Sequence, residues 1–171
     1  MRNEVFLTVI IPVFNEEESL PHLCRQLYPV LDSLENNFEV IFVDDGSTDG
    51  SFSVLKTLST KYLGLRAIRF RRNCRKASAL SIGFKEARGA LIVTMDADLQ
   101  DDPQEIPQLI DALSDNLDLV SGWKKKRHDP LSKTIPSRIF NFVTSLVSGL
   151  RLHDFNCGLK IYRREVCEDV L

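Results

Sequence analysis

The sequence predicts an α/β domain with a mostly parallel sheet covered by helices on both faces. Three observations carry this expectation. Short apolar, β-branched runs alternate with longer amphipathic stretches over residues 1–120, the pattern of βα units. The run Ala90-Leu91-Ile92-Val93-Thr94-Met95 is apolar almost throughout, as suits a strand buried on both faces. The chain has 171 residues, 43% of them hydrophobic and 27% charged, with a formal net charge of -2, which fits one soluble globular domain.

The elements follow in order. Thr8 to Val13 is the first strand, with Pro12 near its end, where a missing N–H is tolerated. From Glu17 to Leu34 the residues Leu20, Leu23, Leu27, Val30, Leu31 and Leu34 recur at helical spacing. Val40 to Val43 is a second strand, closed by Asp44-Asp45-Gly46-Ser47. Asp49 to Tyr62 reads as a helix capped by Thr48 or Asp49, with Phe52, Leu55, Leu58 and Tyr62 on one face. Ala67 to Phe70 is the third strand, and Lys76 to Ala87 a helix that Arg88-Gly89 would cap. After the fourth strand, Ala90 to Met95, Pro103 opens a helix at a first-turn position and carries it to Leu113. Leu117 to Ser121 is a fifth strand. Beyond Gly122 the alternation stops, leaving a basic loop, an amphipathic helix from Ser132 to Leu150 and a short strand at Lys160-Ile161-Tyr162. Arg163 to Leu171 reads as the opening of a helix with no stop signal, so the chain is expected to continue.

Composition excludes several classes. A chain of this length buries about 70% of its unfolded surface, enough for one core, and shows neither the low apolar content nor the high net charge of disorder. The pI of about 5.9 argues against a basic nucleic-acid binder. Cys24, Cys74, Cys157 and Cys167 show no CxxC spacing and no paired histidines, so they read as free thiols in a reducing compartment rather than zinc ligands. No signal peptide opens the chain, and no apolar run reaches the length of a membrane span. The small net charge hides a segregation. Arg66 to Lys76 holds six bases and no acid, Asp96 to Glu105 five acids and no base, and Lys124-Lys125-Lys126-Arg127 follows.

Ligands of parallel sheets bind outside the carboxyl ends of the strands, so the residues there are the candidates. Asn15 and Glu16 follow the first strand, Asp44 and Asp45 the second, and Asp96, Asp98 and Gln100 the fourth. For Glu17, Glu18 and Asp49 helix N-capping is the simpler reading. Capping does not account for Asp96 and Asp98. Two residues apart on an extended segment, their carboxylates project to one side and repel unless a cation joins them. The donors are all oxygens, which suits Mg2+ or Mn2+ with positions left open for substrate phosphates. The basic stretch Arg72 to Lys76 then has an anionic partner to complement. Neither a P-loop nor a G-x-G-x-x-G follows a strand, which disfavours those nucleotide sites.

Three segments at these strand ends resemble family 2 glycosyltransferases with the Rossmann-like GT-A fold: Val9-Ile10-Ile11-Pro12-Val13-Phe14-Asn15-Glu16, Val43-Asp44-Asp45-Gly46-Ser47-Thr48-Asp49-Gly50 and Asp96-Ala97-Asp98-Leu99-Gln100-Asp101-Asp102-Pro103. Arg72-Asn73-Cys74-Arg75-Lys76-Ala77-Ser78-Ala79-Leu80 and Asp154-Phe155-Asn156-Cys157-Gly158-Leu159-Lys160 resemble its polyprenyl-phosphate branch, which includes dolichol-phosphate mannosyltransferases and undecaprenyl-phosphate glycosyltransferases. The resemblance implies a single catalytic domain over residues 1–171, cut before C-terminal membrane segments. Pro12, Asn15 and Glu16 would line the nucleotide pocket. Asp44, with Asp45 beside it, would contact base or ribose, and Lys76 the bound donor. Asp96, Asp98 and Gln100 would hold the metal, and Lys124, Arg127 and Arg138 lie where the family places bases near donor or acceptor phosphates. Two positions depart from the branch. Arg75 replaces a usual glycine, which would alter the acceptor channel or add a phosphate contact. Gly122-Trp123-Lys124 replaces Gly-x-Arg, keeping the charge but not the bidentate fork.

The activity so implied is transfer of a sugar, with inversion, from a UDP- or GDP-linked donor to a polyprenyl phosphate at the cytoplasmic face of a membrane, with no nucleic acid involved. A phosphate acceptor with a second pKa of about 6 is mostly ionised at pH 7 and needs no strong general base. Asp154 therefore reads as a base, as a group orienting a basic side chain, or as a loop carboxylate capping a turn. Ile139, Phe140, Phe142, Val143, Leu146, Val147 and Leu150 form either a core-covering helix or an interfacial one. Two other readings remain: a family 2 enzyme acting on a sugar or polysaccharide hydroxyl, and a non-catalytic receiver-type module binding Mg2+ through its acidic cluster.

Overall fold

A computed structural model describes residues 4–114, 116–122 and 157–170. Its elements are β1 (Leu7–Val13), α1 (Ser19–Ser33), β2 (Phe38–Asp44), α2 (Ser51–Ser59), β3 (Leu65–Arg69), α3 (Lys76–Glu86), β4 (Leu91–Thr94), a 3-10 turn (Pro103–Glu105), α4 (Ile106–Ala112), β5 (Leu119–Ser121), β6 (Lys160–Arg163) and α5 (Arg164–Val170). The expected strands are all present within a few residues of their marked ends. Trp123, the basic loop, the Ser132–Leu150 stretch and Asp154 lie outside the described residues.

The sheet order is β3-β2-β1-β4-β6-β5. β1 pairs in parallel with β2 and β4, and β2 with β3. β6 runs antiparallel to both β4 and β5, inserted between them. Chain order alone would set β5 beside β4. Instead the short Lys160–Arg163 strand takes that place and brings Cys157-Gly158-Leu159 to the carboxyl end of β4, with Thr94 Oγ1 donating to the Gly158 carbonyl at 2.9 Å.

The period-two pattern of β1 divides the core. Leu7, Val9, Ile11 and Val13 face one side, where they pack with Leu20, Leu23 and Leu27 of α1, Leu55 of α2 and Ile106 of α4. Ile10 faces the other, with Ile92 of β4, Phe84 of α3 and Cys167 of α5. Helices thus cover both faces, as expected. Each fully buried Leu or Ile contributes about 2 kcal/mol of transfer free energy.

Local starts and stops differ from expectation in three places. The N-cap residue of α2 is Gly50, not Thr48 or Asp49. The Asp49 carboxylate still accepts from the Ser51 amide and hydroxyl, at 3.0 and 2.6 Å. α3 ends without a left-handed cap, its C-cap Ala87 being extended. The Arg88 and Gly89 amides turn away from the helix and donate to Thr8 Oγ1, at 3.3 and 2.8 Å. Glu18, at the N-cap of α1, makes no side-chain cap bond, and Glu17 reaches across to the Gly50 amide at 2.6 Å. At the end of α3 and at the Gly50 amide a tertiary acceptor takes the place of a local one.

None of the four cysteines is in a disulfide, and only Cys74 is exposed. Burial pushes the Cys24 thiol up to about 12, which leaves it protonated and unreactive at neutral pH.

Candidate active site

The carboxyl ends of β1, β2 and β4 open into a cleft of about 310 Å³ lined by Pro12, Val13, Phe14, Glu16, Asp45, Asn73, Arg75, Lys76, Asp96, Ala97 and Asp98. Parallel pairing puts these three strand ends side by side. Four carboxylates and two cations therefore share one concavity. A larger hollow of about 510 Å³ lies at the opposite end of the sheet, among Tyr28, Phe38 and Tyr62. It holds a single carboxylate, Asp32, so the chemistry favours the smaller cleft.

The loops around the cleft are tied to one another. Asn15, at φ 57, accepts from the Thr48 amide at 2.9 Å, while its own amide donates to Ser47 Oγ at 3.0 Å. The Glu16 amide donates to Ser51 Oγ at 2.8 Å, and its carboxylate accepts from Ser19 Oγ at 2.6 Å. Asp49 accepts from the Glu17 amide as well as from Ser51. Burial pushes the Asp49 pKa up, but the hydrogen bonds from Ser51 and Glu17 together outweigh it and hold the carboxyl below its ordinary value.

Asp44 and Asp45 separate in role. Asp44 is fully buried. One of its oxygens accepts from the Ser47 amide at 2.9 Å, and the other lies 3.2 Å from Arg69 Nε. Asp44 thus shapes the turn, and Asp45 is the carboxylate that lines the cleft. Asp45 accepts from the Cys74 amide at 2.7 Å, which fastens the Arg72–Lys76 segment to β2. Gly46 makes that contact possible. At φ 71 it lies in the left-handed region, and a Cβ on it would fall 2.7 Å from the Asn73 nitrogen.

Asp96 and Asp98 both line the cleft, separated by buried Ala97. Lys76 Nζ pairs with Asp96 Oδ1. Asp98 accepts from the Gln100 amide at 3.1 Å, while the exposed Gln100 side chain does not line the cleft. The nearly buried Asp101 accepts from the Asp96 amide at 3.0 Å. Gly158 packs on this loop so closely that a Cβ would lie 2.6 Å from Asp96 Cγ and 2.9 Å from Asp101 Oδ2. Among the described residues no three His, Cys, Asp or Glu side chains form a ready-made metal cage. The donor set still fits Mg2+ or Mn2+, which bind through one or two carboxylates and substrate phosphates. The ammonium of Lys76 on Asp96 shows that this position attracts a cation.

The sequence-marked residues fall into three groups. Pro12, Glu16, Asp45, Lys76, Asp96 and Asp98 come together in the cleft, whereas Asn15, Asp44 and Gln100 lie beside it. Lys124, Arg127, Arg138 and Asp154 are outside the described residues. Phe14, 45% exposed, and Asn73 also line the cleft without having been marked. Nothing in a lone Phe or Asn signals such a place, although both stand within segments that carried the resemblance. The basic stretch also divides. Arg66 pairs with Glu39 and Glu86, and Arg69 with Asp44, so both serve the scaffold.

One backbone feature marks the cleft further. Among the described residues four non-glycines have positive φ, and Asn15, Arg75 and Leu99 of these border the cleft loops. Arg75, at φ 74 and ψ 154, occupies a region used almost only by glycine, at a cost of about 1–3 kcal/mol.

The family model described as Glycosyl transferase family 2 matches residues 8–171. The chain is 40% identical over 167 residues to dodecaprenyl-phosphate galacturonate synthase of Rhizobium johnstonii, covering 96% of this chain and 49% of the relative. It is 37% identical over 166 residues to undecaprenyl-phosphate 4-deoxy-4-formamido-L-arabinose transferase of Pseudomonas paraeruginosa, with the same coverage. The chain thus spans about half the length of the curated relatives it matches. Among solved structures, a mannosyltransferase from Pyrobaculum calidifontis with GDP-Man and Mn2+ aligns with TM-score 0.70 and 24% identity over 96% of this chain and 46% of that one. Glucosyl-3-phosphoglycerate synthase from Mycobacterium tuberculosis, with Mn2+, UDP and phosphoglyceric acid, aligns with TM-score 0.76 and 19% identity over 95% and 57%. At those identities the structural likeness is one of fold.

Proposed function

The chain belongs to glycosyl transferase family 2, and from that premise we propose that its cleft binds a nucleoside-diphosphate sugar, UDP- or GDP-linked, with Mg2+ or Mn2+ and transfers the sugar with inversion to a polyprenyl phosphate. The observation that carries this reading is the convergence of Asp45, Lys76, Asp96 and Asp98 on one cleft at the carboxyl end of the sheet. The acceptor class is supported by the two relatives, both named for polyprenyl-phosphate products or substrates. The metal is supported by the solved structures that contain Mn2+.

In this proposal Asp96 and Asp98 would hold the dication, while Gln100, whose side chain lies beside the cleft, supports Asp98 through its backbone amide. The bound metal supplies charge stabilisation for the leaving diphosphate. Lys76, beside Asp96, offers a second cation to the phosphates. Asp45 and the exposed ring of Phe14 form the wall toward the nucleoside, and Asp44 keeps the Gly46-Ser47 turn in shape through Ser47 and Arg69. On the acceptor side, Lys124, Arg127 and Arg138 would hold the lipid phosphate, and Asp154 would act as base or orient one of these cations. Those four roles rest on sequence position. A lipid acceptor places the reaction at a membrane surface, on its cytoplasmic face in this reading. Among the described residues no helix is long and apolar enough to cross a membrane.

The test is a donor screen with the full-length protein, UDP- and GDP-sugars, Mn2+ or Mg2+, and a polyprenyl phosphate. Labelled sugar is expected in the lipid extract, and its formation should cease when the metal is chelated. Transfer to a sugar hydroxyl with none to lipid would overturn the acceptor assignment. Asp98→Ala is expected to abolish Mn2+-dependent donor binding in calorimetry, and unchanged binding would remove Asp98 from the site.

A further inference from the structure

We propose that Arg75 binds a substrate oxyanion in the Asp96–Asp98 cleft, a phosphate oxygen either of the donor or of the lipid acceptor. The assignment rests on the transferase reading above and adds to it a residue that neither the metal-binding pair nor the strand ends supply.

Arg75 is held at φ 74, ψ 154, where a glycine sits without steric cost and an arginine does not. Its carbonyl accepts from the Ser78 and Ala79 amides, at 3.0 and 3.3 Å, as glycine's would in the same place, but no side-chain contact compensates for that cost. Among the described residues the guanidinium has no hydrogen bond, ion pair or ring contact, and the side chain does not cap α3. The one polar tie of its amide is to Asn73 Oδ1 at 3.1 Å. An arginine that served only as solvated surface charge would not need this backbone.

The placement is firm. The Cys74 amide is fastened to Asp45 at 2.7 Å, and Gly46 lies directly against the backbone of Arg72 and Asn73. Arg75 is therefore presented from a segment locked to β2, not from a free loop. It lines the cleft with Lys76, and Lys76 is already paired with Asp96. Among the described residues Arg75 is the cleft-lining cation that makes no ion pair with the protein, so it adds to Lys76 a charge that no carboxylate already engages. Its planar fork suits two oxygens of one phosphate, and the neighbouring carboxylates raise the need for positive charge once an anionic substrate enters.

Full-length wild type, Arg75→Gly and Arg75→Lys would be compared by thermal unfolding and by calorimetry with three probes: UDP or GDP with Mn2+, pyrophosphate with Mn2+, and farnesyl phosphate. Arg75→Gly is expected to unfold at a higher temperature and yet bind one of the last two probes about tenfold more weakly, the scale of one charge-assisted contact. Arg75→Lys should fall between. Loss with pyrophosphate assigns Arg75 to the donor, and loss with farnesyl phosphate to the acceptor. If wild type binds UDP or GDP and Arg75→Gly binds both other probes as tightly as wild type, the Arg75 assignment fails while the transferase reading stands. If wild type binds neither nucleotide, the transferase reading fails and takes the Arg75 assignment with it.

Discussion

Gly158 shows how a residue with no side chain controls a charged one. It sits where a Cβ would meet Asp96 Cγ and Asp101 Oδ2, so the segment after residue 156 presses directly on the D-x-D loop. Asp96 has some room to move, since its side chain is 28% exposed. Gly158→Ala is therefore expected to leave the fold intact while displacing the Asp96 carboxylate. Mn2+ affinity should drop about tenfold, the lower end for a disturbed ligand support. Calorimetric titration with Mn2+ checks this, and wild-type affinity in a folded variant would refute it. The pair Asp96 and Asp98 was readable from spacing, because side-chain direction along an extended segment is a local property. The separation of Asp44 from Asp45 was not, because the pairing of one carboxylate depends on Arg69 arriving from β3.

The elements are joined at the other end of the sheet by Glu39. This buried carboxylate of β2 accepts from Thr8 Oγ1 of β1 at 3.0 Å, from the Arg88 amide at 2.8 Å and from Arg88 Nη2 at 2.7 Å, with Arg66 of β3 at 3.2 Å. Burial pushes its pKa up from the ordinary 4.5, but the Arg88 and Thr8 hydrogen bonds and the Arg88 charge outweigh burial and lower it. A depressed carboxyl contributes stability that is present above about pH 4.5 and lost as pH falls through the folded value. Glu39→Gln should thus cost about 2 kcal/mol at neutral pH, a figure that allows for the exposure of Arg88. The gap from wild type should narrow by about pH 3. Urea unfolding at the two pH values measures it, and a gap independent of pH would exclude this clamp. The same cluster explains why Arg88-Gly89 fails to cap α3. Their amides are drawn to Thr8 and Glu39, a competition invisible to a reading of the helix alone.

For the whole molecule, the sheet order determines what the site can be. β1, β2 and β4 are neighbours, so carboxylates some 80 residues apart in sequence meet in one cleft. A ligand bound there couples to global stability. Nucleoside diphosphate with Mn2+ at 100 times its Kd should add about 2.7 kcal/mol and raise the unfolding temperature by roughly 5–10 °C for a domain of this size. The nucleotide without metal should give a much smaller shift. Equal shifts with and without Mn2+, read by differential scanning calorimetry, would contradict a metal-bridged diphosphate. The segregated charge of the sequence also gains a spatial meaning. The acids from Asp96 onward supply the metal-facing wall, while the basic stretch splits between scaffold pairs at Arg66 and Arg69 and the cleft at Arg75 and Lys76.

The sequence by itself determined the alternation of strands and helices, the positions of the strand ends and the family. These depend on periodicity, turn chemistry and short motifs, all properties of neighbouring residues. Only the tertiary structure decided that β6 enters between β4 and β5, that Asp45 and not Asp44 lines the cleft, that Gly158 braces Asp96, and that Arg75 stands in a glycine conformation. Each of these depends on which distant backbone or side chain arrives to pair, pack or compete, and no local pattern encodes that arrival.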